Sequence, residues 1–121
     1  MVLMRAKDIL GRDGEELAAV FLEDQGMRIV DRNWRCAEGE IDIVALEGDT
    51  MVVAEVKTRS SLDYGHPFEA VGPAKLARLH RLAAAWCREH ELNASRRRVD
   101  VVSVIHNGVG DPQLEHLRGV G

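Results

Sequence analysis

Asp42, Glu55 and Lys57 have the residue types and the spacing of a divalent-metal hydrolase site. They lie in the stretch from Glu40 to Lys57, where two alternating runs flank Gly48-Asp49, the signature of a β-hairpin. With Gly48 and Asp49 as the turn, positions pair when their numbers sum to 97. Asp42 then lies opposite Glu55, and Glu40 opposite Lys57. Side chains two apart share a face, so these four groups crowd one side of the hairpin. Ile41, Ile43, Ala45, Val52, Ala54 and Val56 point to the other side.

Opposed residues on paired strands have Cβ atoms roughly 4.5–5.5 Å apart, close enough to share one ion. Two carboxylates about 4 Å apart repel by about 4 kcal/mol at an effective dielectric of about 20. A cation relieves that repulsion. Carboxylate oxygens suit a hard ion that keeps several waters, so Mg²⁺ or Mn²⁺ is expected. Such an ion lowers the pKa of bound water and polarises a phosphate oxygen. Lys57 would orient that water or neutralise phosphate charge. The plain alternative is an exposed ion pair between Glu55 and Lys57 on a solvated sheet face. Glu40 is either a ligand or a partner that holds Lys57, and the partner role is favoured.

The elements that must position these groups follow from the flanking sequence. A first helix is expected from about Lys7, or from Asp13, to Gln25. Leu10, Leu17, Val20 and Phe21 give its apolar stripe, Asp13 with Glu16 resembles a capping box, and Gly26 stops it. Met27 to Trp34 reads as a strand. The hairpin strands run over Gly39–Leu46 and Met51–Arg59, and 60–71 reads as a loop around Gly65 and Pro67. A long helix follows from Pro73 to about Leu92, with Leu76, Leu79, Leu82, Ala83 and Trp86 as its core face. Arg98 to Ile105 is a valine-rich strand, Asn107-Gly108 a turn, and 111–121 one helical turn or an edge strand. The order is αβββαβ. The first three strands form an antiparallel meander, and the helical crossover returns the last strand parallel to its partner. The expected fold is α/β, a mixed sheet with helices packed on it, in a single domain over 1–121.

The 121 residues carry 16 basic and 20 acidic side chains, a net charge of −4, so nucleic-acid binding must come from local patches. Lys75, Arg78, Arg81 and Arg88 fall on one side of the long helix. Arg96-Arg97-Arg98 forms a second cluster, and Arg59 extends the Lys57 strand. These are candidate phosphate contacts, which carry no base-sequence information. The triple arginine is also readable as a solvated run. Tyr64, His66 and Phe68 are placed to cover the site or stack on a base. Trp86 reads as core, Trp34 as ambiguous, a strand-ending residue that could pack the first helix, and Asp100 as an acid on a buried strand bonded to a basic neighbour rather than a catalytic one. Cys36 and Cys87 form no CxxC pair, so free thiols are expected and a zinc site is not. No apolar run spans a membrane, and Met1 to Leu10 lacks a signal-peptide pattern, which makes the cytoplasm the default.

The same residues resemble a known group. Asp42 on one strand and Glu55-Val56-Lys57 on the next, in the order αβββαβ, look like the PD-(D/E)XK nuclease superfamily with its restriction-endonuclease-like fold, which includes Holliday-junction resolvases. More closely, the chain resembles the YraN-like bacterial family. The resemblance runs through Leu10-Gly11-Arg12-Asp13-Gly14-Glu15, Arg32-Asn33-Trp34-Arg35-Cys36, Gly39-Glu40-Ile41-Asp42, Glu55-Val56-Lys57-Thr58-Arg59, Gly65, Pro67, Glu69-Ala70-Val71, Lys75 and Val99-Asp100-Val101-Val102. It implies that Asp42 and Glu55 bind Mg²⁺, that Lys57 assists catalysis, and that Glu15 on the first helix completes the site. Ile41 stands where the motif's name has proline. The implied activity is hydrolysis of DNA, more than RNA, by structure or backbone recognition, with a homodimer as a possible assembly. The rival is a catalytically inactive module of the same fold that binds nucleic acid or protein.

Overall fold

The computed structural model describes residues 6–60, 71–106 and 110–120, with side chains from Gly14 onward. The loop aromatics Tyr64 and Phe68, with His66, Gly65 and Pro67, lie outside the described residues, as does the Asn107-Gly108 turn. The elements are α1 (Ala6–Asp24), β1 (Arg28–Cys36), β2 (Gly39–Glu47), β3 (Thr50–Arg59), α2 (Pro73–Glu89), β4 (Arg96–Ile105) and β5 (Gln113–Leu117).

The five strands form one mixed sheet in the order β1-β2-β3-β4-β5. Strands β3 and β4 are parallel, joined by α2, and the other pairs are antiparallel. This is the expected αβββαβ core with one strand added. The stretch left open between a helical turn and a strand is β5, the sheet's edge. Helix α2 follows its expected stripe, whereas α1 buries Ala18, Ala19 and Leu22, with Leu17 and Phe21 partly buried and Val20 turned to solvent instead of inward. Helix α1 ends where Gly26, at φ 96°, lets the Met27 N–H reach back to the Leu22 carbonyl.

The sheet buries both faces. Against α1 pack Ile43, Ala45, Val52, Ala54, Val102 and Val104, with Ala18, Ala19 and Leu22 of the helix. Against α2 pack Ile41, Val44, Met51, Val53 and Val99, with Leu79, Leu82, Ala83 and Trp86. One expectation is corrected here: Ile41 packs with α2, not beside Ile43. Trp34, left open by the sequence, also belongs to the α2 side, where its indole N–H donates to Glu89 Oε2 at 2.7 Å. The cause is a break in alternation. Arg32 reaches Glu16 on α1 at 2.7 Å, yet Trp34, two residues on, faces α2. Between them Asn33 has φ 52°, the left-handed region, which turns the strand over. Ile41 pairs with Trp34 and Ile43 with Arg32, so β2 turns over at Asp42 as well.

Candidate active site

The hairpin register is the expected one. The pairs from Glu47–Thr50 to Ile43–Ala54 all sum to 97. The ladder stops one residue short of Asp42 and Glu55. There the side chain of Asp42 replaces strand backbone as acceptor, taking the Val56 N–H at 2.8 Å. Strands β2 and β3 part at this point and open a cleft beneath α2.

That cleft, about 280 Å³, is lined by Gly39, Glu40, Asp42, Glu55, Lys75, Arg78, Leu79 and Leu82. Its floor is β2 and β3, and its wall is the first three turns of α2. Gly39 lies under that wall, at φ 145°, with Leu82 and Arg78 in contact range of any added Cβ. Lys57 Nζ lies 3.2 Å from Glu55 Oε1, and Lys75 Nζ reaches the same oxygen at 2.7 Å. Asp42, Glu55 and Lys57 therefore converge, as their spacing requires.

The cleft strongly disfavours charge on Asp42. Its pKa is pushed up to about 7 by burial first, then by the Glu55 charge, with Glu15 and Glu40 adding and the Val56 N–H opposing. Burial also holds the Lys57 ammonium below the usual lysine range, and Lys75 beside it pushes the same way. For Lys75 burial is the largest single influence and works against the charge, but the hydrogen bond to Glu55, the contact with Lys57 and the Glu55 and Asp42 charges together outweigh it and raise the pKa.

The remaining candidates separate. Glu15 acts on Asp42 through its charge. It is held near by Gly14, where an added Cβ would overlap Thr58 Oγ1 and lie 2.9 Å from Thr58 Cγ2 on β3. Among the described residues no three His, Cys, Asp or Glu side chains gather closely enough to hold a metal ion together. Glu40 does not hold Lys57. It pairs in register with Arg35, and its carboxylate lies 3.5 Å from Arg35 Nε, because the inversion at Asp42 ends the β2–β3 ladder before Glu40. Arg78 lines the cleft, Arg81 lies 3.7 Å from Glu38, and Arg59 donates to its neighbour's carbonyl at Thr58.

Residues 14–104 match the family model described as "Uncharacterised protein family UPF0102". The chain belongs to the UPF0102 family. Proteins called "UPF0102 protein" from Paenarthrobacter aurescens and Arthrobacter sp. strain FB24 are 80% and 77% identical to it, each aligned over at least 98% of both chains. One from Beutenbergia cavernae is 56% identical over 98% of this chain and all of its own length. The matched UPF0102 region holds Glu15, Asp42, Glu55, Lys57 and Lys75.

Lys75, a candidate phosphate contact by its place in the sequence, meets Glu55 Oε1 in the cleft, a contact that sequence reasoning missed. Pro73 at the start of α2 was the available signal, since it fixes Lys75 in the first turn; which strand that turn meets is a tertiary matter. Asp100 carries no such cleft role. It is fully buried, accepts from Arg98 Nε at 2.8 Å and Nη2 at 3.1 Å and from the Gly119 N–H at 2.9 Å, and lies 2.8 Å from His116 Nε2. Arg98, out of the triple arginine, is thus consumed inside the protein and also meets Glu47 at 2.9 Å. Among the described residues no helix is long and apolar enough to cross a membrane.

Proposed function

We propose that this chain is a metal-dependent nuclease of the PD-(D/E)XK superfamily, YraN-like, which hydrolyses phosphodiester bonds in DNA, with branched or damaged structures as its substrate class. The observation that carries the reading is the meeting of Asp42 and Glu55 in one cleft, with Lys57 paired to Glu55 beside it, in surroundings that resist a net negative charge on Asp42.

The donor set fits a hard divalent cation. It offers carboxylate oxygens and no thiol or imidazole, and the charge it would receive relieves the burial and repulsion that raise Asp42. Asp42 and Glu55 would hold the ion, with water filling the rest of its shell. When bound, Mg²⁺ or Mn²⁺ supplies Lewis acidity and a more acidic water. The chain's own groups do the rest. Asp42 is fixed by the Val56 N–H, so its carboxylate points without reorganisation. Lys57 and Lys75 bring two ammonium groups to the cleft, where a phosphate's developing charge needs donors. Arg78 stands at the wall to meet a neighbouring phosphate.

One observation favours a second reading, a binding module without turnover. Both lysines sit on Glu55 Oε1, and an ion must displace at least part of that pairing. Cleavage of linear, flapped and four-way DNA with Mg²⁺ or Mn²⁺ separates the two. The nuclease reading expects cutting that Glu55→Ala and Lys57→Ala each abolish. Cutting that survives both substitutions reveals a contaminant, and binding of Mn²⁺ without cutting any substrate favours the module.

A further inference from the structure

Ser103 is the anomaly of this sheet. Its hydroxyl is the buried side-chain oxygen that, among the described residues, has no hydrogen-bond partner. The residue is 0% exposed, in the middle of β4. A buried hydroxyl without a partner is costly, and alanine would fill the position at less expense in free energy. Such a group points to a partner that arrives in another state of the protein.

The register names that partner. Ser103 pairs with Lys57 across the parallel β3–β4 ladder, and Val101 with Glu55. Paired residues present their side chains to the same face. Val99, two steps before Val101, packs against α2, as does Val53, two steps before Glu55. Ser103 thus lies on the cleft side of the sheet, beside Lys57. The two lysines on Glu55 differ in their exits. Lys75 is 26% exposed and opens to the cleft; Lys57 is 14% exposed and lies against the sheet. When a cation takes Glu55, Lys75 has solvent or a phosphate to turn to, whereas Lys57 needs an acceptor at the sheet surface.

We infer that Ser103 is a positioning residue for Lys57, its hydroxyl accepting the Lys57 ammonium when a divalent cation occupies Asp42 and Glu55. The inference rests on the metal-site reading above. This role gives the unpaired Ser103 hydroxyl a partner, the Lys57 ammonium, whenever Glu55 turns to the ion. Ser103 touches neither ion nor substrate in this role. It keeps Lys57 beside the cleft once Glu55 has turned to the ion.

Calorimetric titration of the full chain with Mn²⁺, paired with thermal unfolding of the metal-free protein, tests this. Ser103→Ala is expected to weaken Mn²⁺ binding about tenfold, one charge-assisted hydrogen bond's worth. The same substitution is expected to raise the metal-free midpoint by about 3 °C, because an unsatisfied group has gone. Ser103→Thr keeps a hydroxyl and is expected to hold Mn²⁺ within about twofold of wild type. Wild type that binds Mn²⁺, Asp42→Asn that does not, and Ser103→Ala that binds as tightly as wild type together overturn this inference alone. A metal-free Ser103→Ala less stable than wild type also overturns it, since the hydroxyl then has a partner already. Wild type that binds no Mn²⁺ overturns the metal site and this inference with it.

Discussion

Two aspartates flank β3, one on each neighbouring strand, and the fold treats them in opposite ways. Asp100 on β4 is wholly buried and surrounded by donors: a bidentate arginine, a histidine and a backbone N–H. Burial alone would raise its pKa, but the Arg98, Gly119 and His116 hydrogen bonds win and hold it below the usual carboxylate range. Asp42 on β2 accepts one backbone N–H and faces Glu55, Glu15 and Glu40. Its pKa goes up to about 7. The first arrangement is complete in itself. The second leaves negative charge unbalanced beside a cleft, which a protein retains at a cost in stability when function requires it. Burial of an acid therefore says little; the count and sign of its neighbours decide what it is for.

The largest test of this contrast is to neutralise each aspartate in turn. Asp42→Asn keeps the shape and the Val56 hydrogen bond but removes the charge that would hold the ion. Cleavage is expected to fall by about 10³-fold, with the metal-free protein as stable as wild type at pH 5 or more stable at pH 8. Loss of stability together with activity would make Asp42 a second Asp100.

The pH dependence of metal-free stability separates the pair next. Asp42 has its folded pKa raised, so between the unfolded value of 3.8 and about 7 the native state holds a proton that the unfolded chain has released. Stability then falls as pH rises through that window, by on the order of 4 kcal/mol in total. Asp100 has the opposite sign. Its stabilisation is present above the ordinary carboxylate pKa and is lost as pH falls through its depressed folded value. Urea unfolding from pH 4 to 8 is expected to show the Asp42 decline, absent in Asp42→Asn and reversed at pH 8 by Mn²⁺. A wild-type profile that does not fall over this range removes the claim that Asp42 is uncompensated.

Asp100→Asn follows in size. It leaves Arg98 and His116 facing a neutral amide in a buried site, a loss of about 3 kcal/mol by denaturant unfolding. DNA cleavage per folded molecule is expected to stay at the wild-type level. A fall in cleavage beyond the loss of folded protein would give Asp100 a part in the cleft chemistry.

Which of these features could be read in the sequence depends on how far the information travels. The hairpin was legible, because a two-residue Gly-Asp turn fixes the register and strict alternation fixes the face. That local rule brought Asp42, Glu55 and Lys57 together correctly. It failed at Ile41 and Glu40, because Asn33 on the neighbouring strand adopts φ 52° and turns both strands over. No residue within the hairpin carries that signal. Lys75 on Glu55 was out of reach for a related reason: the contact depends on where α2 lands after its crossover. Asp100 could be read as a buried acid with a basic neighbour, since Arg98 is two residues away on the same strand face. His116 and Gly119 come from the far end of the chain, and only the pairing of β5 with β4 supplies them.

The smallest expected effect concerns how Glu15 is brought to Asp42. Gly14 sits inside α1, where alanine would favour the helix by about 1 kcal/mol. Glycine stands there because the helix presses on β3, with Thr58 occupying the space of any Cβ. Gly14→Ala is therefore expected to cost about 1–2 kcal/mol despite the gain in helix propensity. In a Thr58→Ala background Oγ1 and Cγ2 are gone, and the same substitution is expected to become neutral or stabilising. That change of sign distinguishes contact from propensity, which favours alanine in both backgrounds. It also ties the helix to the unbalanced aspartate rather than the balanced one, since Thr58 lies three residues along β3 from Glu55. If Gly14→Ala costs the same with and without the threonine side chain, the close approach is not what holds α1 in place, and Glu15 loses its physical reason for standing beside Asp42.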